Sequence, residues 1–415
     1  MKYPRIVRVK QVFDTAPPIT DIPTGVRTAL KSIRTDSRIR PGDTVAITAG
    51  SRWISNITTI MISVIEELKA LQAKPFIVPA MGSHGGATSE GQLDVLKNMG
   101  ITQETMGVSL RSSMEVRQIG RVLGFPVYMD KNACGADHIV IVARIKPHTD
   151  FKAEIERGFY KMMAIGLGKH RGASECHRAF LRHGYLKVLL KVGREVTKKS
   201  KITFGLGIVE NAYDQTAKIV AVPPNQFEQT ERRLLRQAKA WMMKLPFHEA
   251  DLLIVNELGK NISGDGMDPN VIGRFTQQLK NRGPKIGRIV VLNLTKETAG
   301  NAVGIGRADF TTKKLVENMN RKTTYVNALT FLDPATAKIP PYLDTDREAI
   351  EAAFGVIGGK PTQVKVIRIK NTLTLDEIEI SEAYSAELKK RKDLIQQGNF
   401  KEMQFDSRGK LHSFG

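Results

Sequence analysis

Short apolar runs rich in β-branched residues alternate along the chain with longer stretches of helical periodicity. Thr44 to Thr48, Pro75 to Pro79, His138 to Ala143, Lys201 to Val209, Leu252 to Val255 and Arg288 to Leu294 read as strands. Their near-continuous apolar character is that of strands buried on both faces. Between them, Ile57 to Leu71, Glu90 to Met99, Arg178 to Val192, Gln226 to Met243 and Arg347 to Phe354 repeat apolar residues at helical spacing. This alternation predicts an α/β fold with largely parallel open sheets flanked by helices. The N-terminal residues MKYPRIVRVKQVFDT alternate like a strand. From Ala383 onward a charged helix is expected, followed by a polar, frayed tail from Phe405 to Gly415.

At 415 residues the chain outgrows one hydrophobic core, so two domains are expected, with a ligand cleft between them. Lys244 to Ala250 separates a long helical segment from a fresh strand. The boundary is therefore placed between residues 1–248 and 249–415.

Composition changes this picture little. The hydrophobic fraction of 41% and charged fraction of 25% are those of a globular protein and argue against disorder. Two cysteines, Cys134 and Cys176, make no disulfide framework, which suits a reducing compartment. A secretory leader and any apolar run of about 18 residues are missing, so a cytoplasmic protein without a membrane partner is expected.

Charge raises one rival. The net charge of +21, from 63 Lys and Arg against 42 Asp and Glu, calls for a nucleic-acid hypothesis to be weighed. The basic residues lie in Lys187 to Lys201, Arg232 to Lys239, Lys280 to Arg288 and Lys389 to Lys392. They lack interleaved aromatics and any zinc-knuckle motif. Solvated helix faces and a site for anionic ligands account for them better, and a nucleic-acid partner is not expected.

Three segments carry candidate chemistry. Ala49-Gly50-Ser51-Arg52 follows a strand, where an arginine can grip a carboxylate with two parallel hydrogen bonds. The bland alternative is a surface arginine after a turn. Gly82-Ser83-His84-Gly85-Gly86 follows the next strand and sets a histidine among glycines, where backbone can approach a ligand. A solvated loop histidine is its alternative.

The densest segment runs from Ala143 through Pro147-His148 and Gly158-Phe159-Tyr160-Lys161-Met162-Met163 to Gly166, Gly168 and Cys176-His177. Apolar neighbours around Lys161 can desolvate its amine, as covalent chemistry at lysine requires. His177 offers an imidazole, a common ligand for nickel, zinc or copper. Against these stand a Lys161 snorkelling to water and His170 or His177 paired with a carboxylate such as Glu175. HExxH and Cys-plus-His clusters are absent, so motif logic stops at an anion site in a cleft that can also bind a metal.

These residues resemble the lactate racemases that use a nickel-pincer nucleotide. Members of that family carry an arginine after an early strand, a Gly-x-His loop after the next, a Pro-His at a later strand end, then a lysine and a histidine sixteen residues on. Arg52, His84, Pro147-His148, Lys161 and His177 stand in that order here, and Lys161 and His177 keep that interval. The resemblance covers Thr44 to His177. It implies that residues 1–248 form the catalytic and cofactor-binding domain and that 249–415 close over the substrate. It further implies a nickel-pincer nucleotide joined covalently to Lys161, with His177 as a metal ligand and Gly166 and Gly168 near the cofactor. His84 and His148 would be the acid/base pair, and Arg52 would hold the carboxylate.

The activity implied is a racemase or epimerase of a 2-hydroxy acid. Its partners would be that small acid and the cofactor-assembly enzymes; protein made without those enzymes is expected to be apo. The family's tyrosine, glutamine and lysine substrate motif is not reproduced, and Lys260 is the candidate to replace its lysine. The loops 295–302 and 304–309 are further candidates for contact with substrate or nucleotide phosphate. Gly85-Gly86 stands where the family has a bulkier basic residue, which points to a longer acid than lactate, such as a sugar acid. Two other readings stay open: a nickel-free enzyme on the same scaffold, and a basic ligand- or nucleic-acid-binding protein.

Overall fold

The computed structural model describes residues 2–149, 151–275, 283–330 and 333–412. Asp150 of the histidine segment, residues 280–282 of the third basic run and residues 413–415 of the tail lie outside the described residues.

In chain order the strands are β1 (Arg5–Gln11), β2 (Thr44–Ala49), β3 (Lys74–Pro79), β4 (Val116–Val122) and β5 (Phe125–Asp130). They continue with β6 (His138–Arg144), β7 (Ile202–Glu210), β8 (Thr216–Val222), β9 (Glu249–Val255) and β10 (Lys285–Val291). The last are β11 (Phe310–Thr312), β12 (Tyr342–Leu343), β13 (Val366–Asn371), β14 (Thr374–Ser381) and β15 (Leu394–Glu402). The chain divides into two compact units, one of Thr15–Met242 and one of Met1–Asp14 with Met243–Gly415.

The first unit is built on a five-stranded sheet in the order β3-β2-β6-β7-β8. Its first four strands are parallel, and β8 returns antiparallel on β7. Alternation along β6 shows why the strands read as unbroken apolar runs. Ile139, Ile141 and Ala143 enter a core shared with the helices Lys169–His183, Tyr185–Lys199 and Phe227–Trp241. Val140 and Val142 enter the opposite core, with the helices Ile22–Ser32 and Ile57–Ala70. Both faces are thus covered, as a parallel sheet demands. The hairpin β4–β5 forms a sheet of its own.

The second unit holds an eight-stranded sheet, β12-β11-β10-β9-β13-β14-β1-β15. It is parallel from β12 to β13 and antiparallel from there to β15. The α/β class with mostly parallel sheets flanked by helices is therefore observed. Among the described residues no helix is long and apolar enough to cross a membrane.

The two compact units meet along the chain at 242/243, against the 248/249 expected for the domains, and β1 pairs with β14 and β15 in the second unit's sheet. Three expectations are corrected. The helix expected over Arg178 to Val192 is two helices broken at Gly184, whose φ of +78° ends the first. The segment after Ala383 is a short helix, Ser385–Leu388, followed by the edge strand β15. A run of exposed polar residues, Gln396-Gln397-Gly398-Asn399, hid that strand, which stands last in the order of its sheet. The tail is fixed as far as residue 412: Leu411 is buried and Phe405 packs on Tyr3 with ring centroids 5.1 Å apart.

Candidate active site

Three loops at the carboxyl ends of β2, β3 and β6 carry Arg52, His84 and His148, the end of a parallel sheet where open α/β folds bind ligands. The segment holding Lys161 and His177 follows β6. Its placement begins with Phe159, whose fully buried ring sits on two glycines of β7. A Cβ at Gly205 would lie 2.7 Å from the Phe159 ring and one at Gly207 3.0 Å from it. Burying that ring contributes about 1.5–3 kcal/mol. Tyr160 lies against Gly193 of the helix Tyr185–Lys199.

The first amides of the short helix Phe159–Lys161 are satisfied from another element. The Tyr160 N–H donates to Oε2 of Glu231 at 3.1 Å, and the Phe159 amide faces the same buried carboxyl. Burial raises that carboxyl to about 8 against the pull of the two amides. Lys161 then emerges half-buried, one turn along.

Directly after Lys161 the backbone widens into a π-helical turn, Met162–Gly166, closed by Leu167 N–H donating to the Met162 carbonyl at 2.8 Å. Such turns are rare and concentrate at functional sites. Close approach shapes this one, since a Cβ at Gly166 would lie 2.6 Å from the Ala80 carbonyl oxygen. A Cβ at Gly168 would lie 2.7 Å from that of Ala164. Both glycines, expected near a cofactor, have this packing role in the structure. The same turn touches the loops after β2 and β3. A Cβ at Gly50 would lie 3.2 Å from the Met162 side chain, and Gly82 N–H donates to the Gly166 carbonyl at 3.2 Å. Arg52 and His84 are exposed on these two loops.

His148 is 6% exposed, and its Nε2 lies 2.7 Å from Nζ of Lys161. Its loop folds around Glu156, a fully buried carboxylate that accepts the His148 N–H at 2.6 Å, the Ala153 N–H at 3.1 Å and Nζ of Lys239 at 2.6 Å. Phe151 stacks on Tyr185 with centroids 4.3 Å apart, and both rings flank the imidazole. Burial, then the positive charge of Lys161, holds His148 well below the usual histidine range. His177, two turns into its helix, is lowered to about 4 by burial and by the same lysine. Glu175 pairs with Arg178 at 2.6 Å, not with His177. Both imidazoles are therefore uncharged at neutral pH, with lone pairs to offer.

Lys260 belongs to the other unit, where Nζ donates to the Gly264 carbonyl at 2.6 Å and its N–H to Thr298 at 3.1 Å. In the same unit Arg307 of the second glycine-rich loop is buried and pairs with buried Asp265 at 2.9 Å. Among the described residues no group of three or more His, Cys, Asp or Glu side chains is placed to hold a metal ion. Sequence reasoning missed Glu156, Glu231 and the π-helical turn. Only the Gly205 and Gly207 pair, two glycines among the large apolar residues Phe204, Leu206 and Ile208 of one strand, signalled that something large packs there.

No protein-family model and no curated protein matches the chain. Among solved structures, the lactate racemase apoprotein from Thermoanaerobacterium thermosaccharolyticum is similar, with a TM-score of 0.53 at 13% identity over 86% of this chain and 93% of that one. A protein from Thermotoga maritima aligns with a TM-score of 0.49 at 11% identity, over 76% of this chain and 80% of that one. At such identities the likeness is one of fold, and the fold is lactate racemase-like.

Proposed function

We propose that this chain is a racemase or epimerase of a 2-hydroxy acid that holds a nickel-pincer nucleotide covalently at Lys161. The observation that carries this reading is the 2.7 Å contact between Nζ of Lys161 and Nε2 of His148, in the fold of a lactate racemase apoprotein.

The donor chemistry fits such a group. Lys161 presents an amine to join, and His177 is kept uncharged so that its lone pair is available to a metal. A metal held by one imidazole needs further donors, and the sulfurs and carbon of the nucleotide are of the kind that would complete the set. When bound, the group would supply an acceptor for the hydride of the substrate carbon that bears the hydroxyl.

The chain's own residues then move the proton. A histidine, the more so one held below the ordinary range by burial, is too weak a base for a C–H beside a carboxylate, but its uncharged ring can take a hydroxyl proton. His148, buried and uncharged, is assigned that task on one face of the substrate. His84, on the loop after β3, is assigned it on the other, and Arg52 is assigned the carboxylate. The Gly85-Gly86 pair is the basis for expecting an acid longer than lactate; a Cβ at Gly85 would lie 2.5 Å from the Gly91 backbone, whereas exposed Gly86 has no such neighbour within 4 Å.

The test is chiral separation of single-isomer 2-hydroxy acids, from lactate to sugar acids, incubated with protein co-expressed with the cofactor-assembly enzymes. Interconversion of a longer acid in preference to lactate is expected. Lactate as the best substrate contradicts the size argument, and no interconversion by loaded protein contradicts the reaction class.

A further inference from the structure

We infer that Lys169 is a positioning residue whose buried ammonium clamps the His84 loop to the segment that carries Lys161 and His177. Its consequence for turnover rests on the function proposed above; its structural part does not.

Lys169 stands eight residues from each of Lys161 and His177 and is 0% exposed. Its three donors face oxygens from three segments. Nζ donates to the Pro79 carbonyl, at the end of β3, at 2.6 Å and to Oε1 of Gln92 at 2.8 Å. It lies 3.3 Å from Oδ2 of Asp130 at the end of β5, a contact of charge more than of a directed hydrogen bond. An ammonium on a flexible stem can meet three such acceptors at once, and no neutral side chain carries three donors on one atom.

Gln92 relays the clamp to the loop. Its side chain is fully buried, and its Nε2 donates to the carbonyl of Gly82 at 2.9 Å and to that of His84 at 3.4 Å. The far side is tied as well, because Asp130 N–H donates to the Leu167 carbonyl at 2.7 Å. One ammonium therefore bridges the His84 loop and the backbone between Lys161 and His177.

Backbone strain shows why a clamp is needed. Gly82, Gly85 and Gly86 have φ of +62°, +66° and +64°, and Ala87 follows at +56°. Lys169 itself sits at +53°. Non-glycine residues in this region persist only where their surroundings over-determine them. Lys169 is one of these positions, and Gln92 reaches the loop that holds the other, Ala87, through the carbonyls of Gly82 and His84. Burial alone would disfavour both charges, lowering Lys169 and raising Asp130, and their mutual attraction opposes it in each.

Two variants of the full chain test the clamp: Gln92→Leu, which cuts only the relay, and the double change Lys169→Met with Asp130→Asn, which leaves no buried charge unpaired. Amide hydrogen exchange is read by mass spectrometry in residues 81–88 and, for comparison, in 44–70. Exchange about tenfold faster in 81–88 with 44–70 unchanged is expected in both variants. In loaded protein kcat should fall about tenfold with KM within about twofold, since Arg52 is on another loop. Unchanged exchange in 81–88, or equal acceleration in both segments, overturns the clamp. Local loosening with kcat and KM unchanged overturns its bearing on turnover. If the loaded parent converts no hydroxy acid, the reaction reading fails and the exchange measurement alone decides the role of Lys169.

Discussion

Nζ of Lys161 and Nε2 of His148 meet at 2.7 Å across thirteen residues of chain. Beside the effect of burial, the positive charge of Lys161 is the next cause that holds the imidazole well below the usual histidine range.

Replacing Lys161 by Met removes the second cause of the low pKa of His148 and leaves the first, burial. The His148 ring should then titrate at higher pH than in the parent, yet still below 6.5. NMR of the ring protons measures it, and an unmoved titration contradicts the coupling.

Acid should destabilise the fold through His177. Its folded value of about 4 lies below the ordinary 6.5, so the unfolded chain binds the proton first. Stability is lost as pH falls from 6.5 to about 4 and the loss levels off below that, at about 3 kcal/mol. In His177→Gln this part of the slope should vanish from urea-unfolding curves measured at pH 7 and pH 4.5. An identical slope in parent and variant contradicts the assignment.

Glu231 should act in the opposite direction. Its folded carboxyl is raised from 4.5 to about 8, so it keeps its proton where the unfolded chain has lost it, and its contribution weakens as pH rises between those values. Gln at 231 does not titrate. Measured against the parent, Glu231→Gln should gain stability between pH 5 and pH 8; a constant difference refutes the buried acid.

Gly205→Ala should cost about 1–3 kcal/mol, because the added methyl meets the Phe159 ring and that ring seats the helix of Lys161. The thermal midpoint should drop and cofactor loading at Lys161 should fall with it. Gly86→Ala, where the added methyl meets nothing, should cost only the strain of its positive φ, about 1 kcal/mol. Equal losses from the two would remove the packing argument.

The parallel strands of the first unit were legible because strands buried on both faces, such as His138–Arg144, are apolar throughout their interior, here Ile139 to Ala143. β15 was not, because this exposed edge strand is mostly polar, with Gln396-Gln397-Gly398-Asn399 at its centre, and looks like tail. In the candidate site, the resemblance singled out Lys161, His148 and His177 by order and interval, and the structure brings Lys161 within hydrogen-bond distance of His148. Lys169, Gln92, Glu156 and Glu231 were not, since polar residues buried by tertiary contacts have no local pattern. Lys260 falls in the other unit, and no interval in the sequence fixes its relation to the rest.

The central claim is tested most directly by the mass of the peptide containing Lys161, with nickel measured on the same sample, after co-expression with the cofactor-assembly enzymes. The account predicts a mass increase confined to Lys161, accompanied by about one nickel per chain, and loss of both in Lys161→Ala. An unmodified Lys161 in folded protein, under conditions that load a lactate racemase, would contradict it.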